Sequence, residues 1–520
     1  MTYLAVPIAA ANLEEAARQI KAARAAGAEI IELRIDYLEN LTTQMLKVLI
    51  AESKDSRPQL PVIVTCRDVR QGGARPHPEN LRIELLTTAL QHGAEFIDLE
   101  YDNFVPPQNR ERIITALSRS LKGRLILSAH NFKSRFDDIR KLHRQMLAVF
   151  PAAIPKIVYT ARHINECFEA LDLLHAAGGD AIAFCMGPAG LITRIIAKKL
   201  RSFVTFASIE DKTATAPGQL AIEQFKKLYR YDSISPETEL YGVIGSPIAH
   251  SLSPAVHNAC FADIEADNLY LPLLVEGAKV DFDGFLNNIL RRSWLDFRAF
   301  SITIPHKQNA LRFAAVGGGV VEPLAEKIGA VNTLIIGPNN RVSAYNTDYA
   351  GALDAITEKL DIARSGLKDM PVAVVGAGGV ARAIVAGLDD AGATITIYNR
   401  TVERAQALAA EFGCAFAPLS DLQTLDAKLL INCTSIGMYP NIDASPVPCE
   451  SIKRPMTVFD TVYNPARTLL LTYAGKKRAK SIDGLTMFVN QALAQFKLFT
   501  GKDGNPKLMR KIIAANLSNK

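Results

Sequence analysis

The chain has 520 residues, 48% of them hydrophobic and 22% charged, with a formal net charge of +6 at pH 7. That length exceeds what one core serves, so at least two domains are expected, and the globular composition excludes disorder, collagen and a fibrous coiled coil. No apolar run reaches the roughly 18 to 20 residues that cross a bilayer, and the charge is dispersed, which argues against a membrane or nucleic-acid partner and favours small anionic substrates.

The N-terminus passes at once into the strand-like Leu4-Ala-Val-Pro-Ile8, with no signal or transit peptide visible, so a cytoplasmic protein is expected. Eight short apolar runs follow in the first 230 residues: Tyr3 to Ile8, Glu29 to Asp36, Pro61 to Arg67, Phe96 to Tyr101, Arg124 to Phe132, Pro155 to Thr160, Ala181 to Met186 and Phe203 to Ser208. Helical patterns such as Asn12 to Ala26 and Pro78 to His92 separate them. Eight βα units in a segment of this length predict an N-terminal (βα)8 TIM barrel over residues 1–230. In that fold catalytic groups sit on inward-facing positions and at strand C-termini, where Glu32, Arg34, Arg67, Glu100, His130 and Arg194 fall.

Lys156 lies in Ile154-Pro-Lys-Ile-Val-Tyr159, where period-2 alternation puts Lys156, Val158 and Thr160 on one face. A lysine inside a barrel of β-branched residues is costly to keep charged, so its pKa is expected to fall and its amine to become a nucleophile toward ketones. On the preceding strand Ser128 and His130 share a face, and His130 could take and return a proton near neutral pH. Taken singly, a strand-capping lysine and a hydrogen-bonded loop histidine fit these positions as well. The strings Ile31-Glu-Leu-Arg-Ile-Asp36, Thr65-Cys-Arg67, Ser128-Ala-His-Asn-Phe132, Pro155-Lys-Ile157, Met186-Gly-Pro-Ala-Gly190 with Arg194, and Ala216-Pro-Gly-Gln219, taken in order, closely resemble the type I 3-dehydroquinate dehydratases. That resemblance implies that Lys156 forms a Schiff base with the ring ketone of 3-dehydroquinate and that His130 removes a proton and later protonates the departing hydroxyl. It also implies that Glu32, Arg34, Arg67, Arg194, Thr215 and Gln219 hold the substrate, Arg194 by its carboxylate. Two positions depart from the family pattern: Gln71 stands where Glu is usual and cannot serve as an anion beside His130, and Thr215 stands where Ser is usual.

Asp232-Ser-Ile-Ser-Pro-Glu-Thr-Glu239 is polar and aperiodic, so residues 231–239 read as a linker, and a second unit is expected over 240–520. Its motifs begin with Gly245-Ser-Pro-Ile-Ala-His-Ser251-Leu-Ser253, two hydroxyls on one face of a turn, suited to a carboxylate. Then come Thr303-Ile-Pro-His-Lys307, Ala330-Val-Asn332-Thr and Asn346-Thr-Asp348-Tyr-Ala-Gly351, in which Lys307 and Asp348 could form an acid/base pair, each favouring the other's charged form, or be surface ion-pair partners. Val372-Ala-Val-Val-Gly376-Ala377-Gly378-Gly379-Val380-Ala381 is a GxGxxG/A turn between an apolar strand and a helical pattern, the context in which a helix N-terminus receives a pyrophosphate. After the next strand, Asn399-Arg400-Thr401 with Arg404 replaces the acidic residue of NAD enzymes, which favours the 2′-phosphate of NADP.

With Thr434-Ser-Ile-Gly-Met438, Asp460-Thr-Val-Tyr-Asn-Pro465 and Asp483-Gly-Leu-Thr-Met487, these strings resemble shikimate dehydrogenase across about 240 to 520. The resemblance implies two lobes, a substrate-binding one over 240–350 and an NADP-binding Rossmann lobe over 351–490, followed by C-terminal helices over 491–520. It implies that Ser251 and Ser253 bind the substrate carboxylate, that Thr303, Asn332, Tyr463 and Gln491 hold ring hydroxyls, that Thr461 and Gly484 lie near the nicotinamide, and that Lys307 and Asp348 transfer the proton. The product of the first activity is the substrate of the second, so a bifunctional shikimate-pathway enzyme is expected. The rival readings are a quinate or quinate/shikimate dehydrogenase, against which Arg400 and the paired serines argue, and a regulatory protein with catalysis lost, against which the four catalytic residues argue. Seven scattered cysteines without a CxxC pair read as reduced thiols, and nine histidines without HExxH predict no metal. Oligomeric state is not legible.

Overall fold

A computed structural model describes residues 1–55, 59–210, 212, 215–277 and 279–518. The chain forms two compact units, Met1–Glu239 with Leu271–Asp296, and Leu240–Tyr270 with Phe297–Lys520.

In the first unit, β1 (Tyr3–Ile8), β2 (Ile30–Arg34), β3 (Val62–Thr65), β4 (Phe96–Glu100), β5 (Arg124–Asn131), β6 (Ile154–Thr160), β7 (Ile182–Met186) and β8 (Val204–Phe206) make one parallel sheet in the order β7-β6-β5-β4-β3-β2-β1-β8. The ring is nearly closed: between the two end strands, the Phe203 amide reaches the Ala181 carbonyl at 2.8 Å. Alternation stacks the interior in layers. Ile30, Ile63, Phe96, Ile126, Ile154, Ile182 and Val204 pack together at the bottom, and two residues further along their strands lie Glu32, Thr65, Asp98, Ser128, Lys156, Phe184 and Phe206. The apolar layer thus forms a floor under a polar one.

Three expected strands, β2, β3 and β8, are each three residues shorter than their apolar runs. β2 stops at Arg34 because Ile35–Tyr37 turns into a 3-10 helix, held by Asp36, which takes both the Arg34 guanidinium and the Ala74 amide. β8 spans Val204–Phe206 only, and Ser208 instead bridges to Ala221.

Two further sheets follow in the chain. The first has the order β10-β9-β11-β12-β13, from β9 (Glu239–Gly245), β10 (Asn268–Leu274), β11 (Phe297–Ile302), β12 (Thr333–Ile336) and β13 (Val342–Tyr345). The second is β16-β15-β14-β17-β18-β19, from β14 (Pro371–Val375), β15 (Thr394–Asn399), β16 (Ala415–Pro418), β17 (Leu429–Asn432), β18 (Thr457–Asp460) and β19 (Lys480–Ile482). All its pairings are parallel, and the order is the 3-2-1-4-5-6 of dinucleotide-binding sheets. Both faces are covered, Val372 and Val374 packing into one apolar cluster and Ala373 and Val375 into another, which is why the strand reads as an unbroken apolar run. The helices Thr347–Leu360 and Gly484–Thr500 pack closely at Gly351, where an added Cβ would lie 2.7 Å from the Gln491 amide nitrogen.

Candidate active sites

The barrel interior opens at its C-terminal end into a cleft lined by all eight residues expected there: Glu32, Arg34, Arg67, His130, Lys156, Arg194, Thr215 and Gln219. Lys156 is 3% exposed, with Nζ 2.8 Å from Asp98, 3.9 Å from Glu32 and 4.5 Å from the centre of the Phe206 ring. Asp98 also takes Arg67 at 2.8 Å and the Ser128 hydroxyl at 2.7 Å. Burial opposes its charge, but Arg67 and Lys156 outweigh burial and hold the carboxyl well below the usual range. Desolvation alone would push the Lys156 ammonium toward the neutral amine. The fold adds two carboxylates to its surroundings.

His130 is set the opposite way. Burial first, then the positive charges of Arg67 and Lys156, push its imidazole well below the ordinary histidine range, so the ring is neutral at pH 7 with a buried, unpartnered Nδ1. Gln71 was expected beside that ring. It instead accepts the His130 main-chain amide at 2.8 Å, so it holds the strand that carries the histidine.

Arg194 is 1% exposed, its guanidinium 4.4 Å from the centre of the Phe184 ring, and Nε and Nη2 have no partner. Burial pushes its pKa down to about 10, still charged at neutral pH. A buried cation with two free donors is a site for a bidentate anion. Thr215 and Gln219 stand near it, the Thr215 amide and hydroxyl both donating to Gln219 Oε1 at 2.8 and 3.2 Å.

The second unit has a larger cleft, lined by Ser251, Ser253, Thr303, Lys307, Asn332, Asp348, Val380, Thr461, Tyr463, Gly484 and Gln491 among others. Lys307 opens the helix Lys307–Val316, and its Nζ is 2.5 Å from Asp348 Oδ2. Asp348 sits in the first turn of Thr347–Leu360, where Asn346 caps its amide, and Asn332 donates to its Oδ1 at 2.9 Å. The Ser251 hydroxyl oxygen accepts the Ser253 amide at 3.3 Å, leaving its proton to donate.

The dinucleotide turn has the form its glycines predict. Gly376 adopts φ +112°, a left-handed conformation, and Gly378 and Gly379 have open space where a Cβ would project, at the start of the helix Gly379–Asp390. Ala377 lies between them, and the turn follows β14, where the strand order reverses toward β17. At the end of β15 the Asn399 side-chain Nδ2 donates to the Thr401 carbonyl, and Arg400 and Arg404 are exposed, neither guanidinium having a partner among the described residues. Space at the glycines and two free cations fit a pyrophosphate and a 2′-phosphate. Among the described residues no group of three or more His, Cys, Asp or Glu could hold a metal ion.

A bifunctional 3-dehydroquinate dehydratase/shikimate dehydrogenase of Arabidopsis thaliana, a chloroplastic protein, is 33% identical over 531 residues, spanning 99% of this chain and 84% of that relative. The chain belongs to this bifunctional family. The type I 3-dehydroquinase family matches residues 4–236 of the bifunctional chain, the shikimate dehydrogenase substrate binding domain 243–334, shikimate/quinate 5-dehydrogenase 358–460, and the shikimate 5′-dehydrogenase C-terminal domain 484–513. A shikimate dehydrogenase (NADP(+)) of Methanosarcina mazei is 40% identical over 284 residues, 53% of this chain and 97% of that one. A solved shikimate dehydrogenase of Thermus thermophilus, in complex with NADP(H) and shikimate, is 34% identical over 54% of this chain and 99% of its own, with a TM-score of 0.47.

Sequence reasoning gave no role to Asp98 and Ser128, which bond the cleft residues Lys156 and Arg67, to Phe206 in the lining of the dehydratase cleft, or to Ser301 and Gln495 in that of the dehydrogenase cleft. Asp98 and Ser128 carried a usable signal: they occupy the same inward phase as Glu32 and Lys156 on neighbouring strands.

Proposed function

We propose that Lys156 and His130 carry the dehydration of 3-dehydroquinate and that Lys307 and Asp348 carry the proton transfer in the NADPH-dependent reduction of 3-dehydroshikimate, two consecutive steps of the shikimate pathway in one bifunctional chain. The observation that carries the first assignment is a buried lysine between carboxylates, in a cleft with a neutral histidine and an unpaired arginine. Arg194 takes the substrate carboxylate and aims the ring ketone at Lys156. The amine adds to the carbonyl carbon, water leaves, and the resulting iminium draws electrons from the adjacent ring carbon as His130 removes its proton. The hydroxyl one carbon further departs with the proton that His130 returns, and hydrolysis of the imine frees 3-dehydroshikimate and Lys156. Glu32, Arg34, Arg67, Thr215 and Gln219 hold the remaining polar groups of the ring.

In the second unit Ser251 and Ser253 hold the carboxylate, Thr303, Asn332, Tyr463 and Gln491 hold ring hydroxyls, and Thr461 and Gly484 border the nicotinamide. The turn from Gly376 to Val380 takes the pyrophosphate, and Asn399, Arg400, Thr401 and Arg404 hold the adenosine end. NADPH bound there supplies a hydride. Lys307 protonates the oxygen that becomes an alkoxide, and Asp348 keeps the ammonium aimed at it. Arg400 and Arg404, cationic and unpaired, favour NADP over NAD and a shikimate over a quinate dehydrogenase reading. All seven cysteines are free, which suits a reducing compartment such as the cytoplasm; the Arabidopsis relative is chloroplastic.

The test is a coupled assay of the full chain with 3-dehydroquinate and NADPH, read at 340 nm. Wild type oxidises NADPH; Lys156→Ala does so only with 3-dehydroshikimate, and Lys307→Ala with neither substrate. Activity of Lys156→Ala on 3-dehydroquinate would refute the Schiff-base assignment.

A further inference from the structure

Glu100 shares the inward phase of Asp98 at the end of β4, yet it is not among the residues that line the dehydratase cleft. Its hydrogen bonds give it another place. Arg67 donates from Nη1 to Glu100 Oε1 at 3.0 Å and from Nη2 to Asp98 Oδ2 at 2.8 Å, and Lys156 donates to the same Asp98 oxygen at 2.8 Å. From the helix Glu79–Gln91, Arg82 bonds Glu100 Oε2 through Nη2, Asp68 Oδ2 through Nη1 at 3.0 Å, and the Cys66 carbonyl through Nε at 2.9 Å. Charges therefore alternate along one buried row, Arg82, Glu100, Arg67, Asp98 and Lys156, each 4% exposed or less.

A row of this kind couples its two ends. Solvent screens none of its members well, so each ion is held by its neighbours. Arg67 is shared between two carboxylates, and what one draws from it the other loses. Arg82 meets Glu100 from the far side and, through the Cys66 carbonyl, also holds the peptide that leads into Arg67. Arg67 can then stay on Asp98, where the Ser128 hydroxyl ties the two together, accepting from Arg67 at 2.7 Å and donating to Asp98 at 2.7 Å. Around the row, Asp68 takes Arg82 and Arg70, Arg34 pairs with Asp36, Glu32 lies 3.9 Å from Lys156, and His130 is neutral. Arg82 does not line the cleft, so it acts only through the others.

We propose that Arg82 is a positioning residue of the dehydratase: by balancing Glu100 from outside the cleft it leaves Arg67 on Asp98, and so sets how firmly Asp98 holds the Lys156 ammonium. Without Arg82, Glu100 draws on Arg67 alone, Asp98 is left to Lys156, and the ammonium becomes harder to deprotonate. Without the Glu100 charge, Arg67 belongs to Asp98 and the ammonium becomes easier to deprotonate. The inference rests on the reading of Lys156 as the imine-forming amine, which must lose a proton before it attacks.

The titration of Lys156 in the full chain tests it. The readout is the pH dependence of trace acetylation by acetic anhydride, followed by mass spectrometry of the peptide that holds Lys156, between about pH 5 and 11. Arg82→Met is expected to raise the midpoint by about 0.5 to 1 pH unit and Glu100→Gln to lower it by about as much. The double variant, which removes both charges, is expected to return it to within about 0.3 of wild type. The acid limb of dehydratase kcat/KM moves in the same sense as the midpoint in each variant. A general loss of packing has no reason to give opposite signs. Midpoints that do not move, that move the same way in both single variants, or that the double variant fails to restore overturn the proposal. Removing one member of a buried ion pair is strongly destabilising; if Arg82→Met does not fold, Glu100→Gln decides alone, and a midpoint that fails to fall refutes the proposal. No borohydride-trapped adduct on Lys156 of the wild-type chain with 3-dehydroquinate would instead refute the imine reading, a result distinct from an adduct that forms beside unmoved midpoints.

Discussion

Replacing Arg194 with methionine should separate binding from stability, because the two respond in opposite directions. The guanidinium is fully buried without a carboxylate partner, and burial holds its pKa near 10. At about 1.4 kcal/mol for each pH unit below an ordinary guanidinium, keeping that charge costs the unliganded barrel about 3 kcal/mol at neutral pH. The sign follows from proton binding. The unfolded chain holds the proton more tightly, so the cost is fully present below pH 10 and is relieved only as pH rises further. Arg194→Met removes the charge and keeps most of the packing over Phe184. The variant should lose no stability and gain up to about 3 kcal/mol, read in calorimetry of the full chain as a barrel transition that holds or rises by several degrees. Substrate recognition should suffer, since a bidentate charge-assisted pair contributes about 3 to 5 kcal/mol at a buried site, and kcat/KM for 3-dehydroquinate should fall by about 10² to 10⁴. A variant that unfolds earlier than wild type, or that keeps its KM, would show that Arg194 has a structural partner and is not the carboxylate site.

The depressed pKa of His130 places the acid limb of dehydratase kcat/KM below pH 6.5, because the base fails only when the imidazole protonates; a flat profile from pH 6.5 to 8 is expected, and a limb centred at 7 would contradict it. His130→Ala should lower dehydratase kcat by about 10² to 10⁴ while the borohydride-trapped adduct on Lys156 still forms with 3-dehydroquinate, as mass spectrometry of the tryptic peptides will show. Gly351→Ala brings a Cβ to 2.7 Å from the Gln491 amide and 3.0 Å from the Met487 carbonyl, so dehydrogenase activity should fall and its unit should lose about 1 to 3 kcal/mol, with dehydratase rates unchanged as the internal control. Substituting Arg400 and Arg404 together by alanine should raise KM for NADPH by tenfold or more and leave the weaker activity with NADH unaltered, measured side by side at 340 nm.

The barrel was legible because each strand alternates and the polar residues share one phase, so Glu32, His130 and Lys156 could be set on an inner face before any pairing was known. Asp98 was not singled out, although it lies on that face, because its importance comes from register. It reaches Lys156 across two strands, 58 residues apart, and no local pattern states that distance. Gln71 was placed at the correct histidine but at the wrong atoms, since sequence carries no information on which group of His130 a 3-10 turn will face. In the second unit the glycine turn could be read from physics alone. The residue types of Lys307 and Asp348, on different helices, allowed an acid/base pair or a surface ion pair, and resemblance decided between the two, whereas a buried hydrogen-bond chain through Tyr270, Ser301 and Gln495 joins segments whose contacts the fold alone determines.

The ion pair between Lys156 and Asp98 bears on how the dehydratase manages electrical neutrality. On the Schiff-base reading, an ammonium is replaced by a protonated imine at the same nitrogen, and both carry one positive charge. The carboxylate that pairs with the resting lysine therefore faces the covalent intermediate with the same polarity, at the same place. The barrel interior is charge-matched to the iminium before substrate arrives, so its fixed carboxylates need not rearrange when the carbon–nitrogen bond forms.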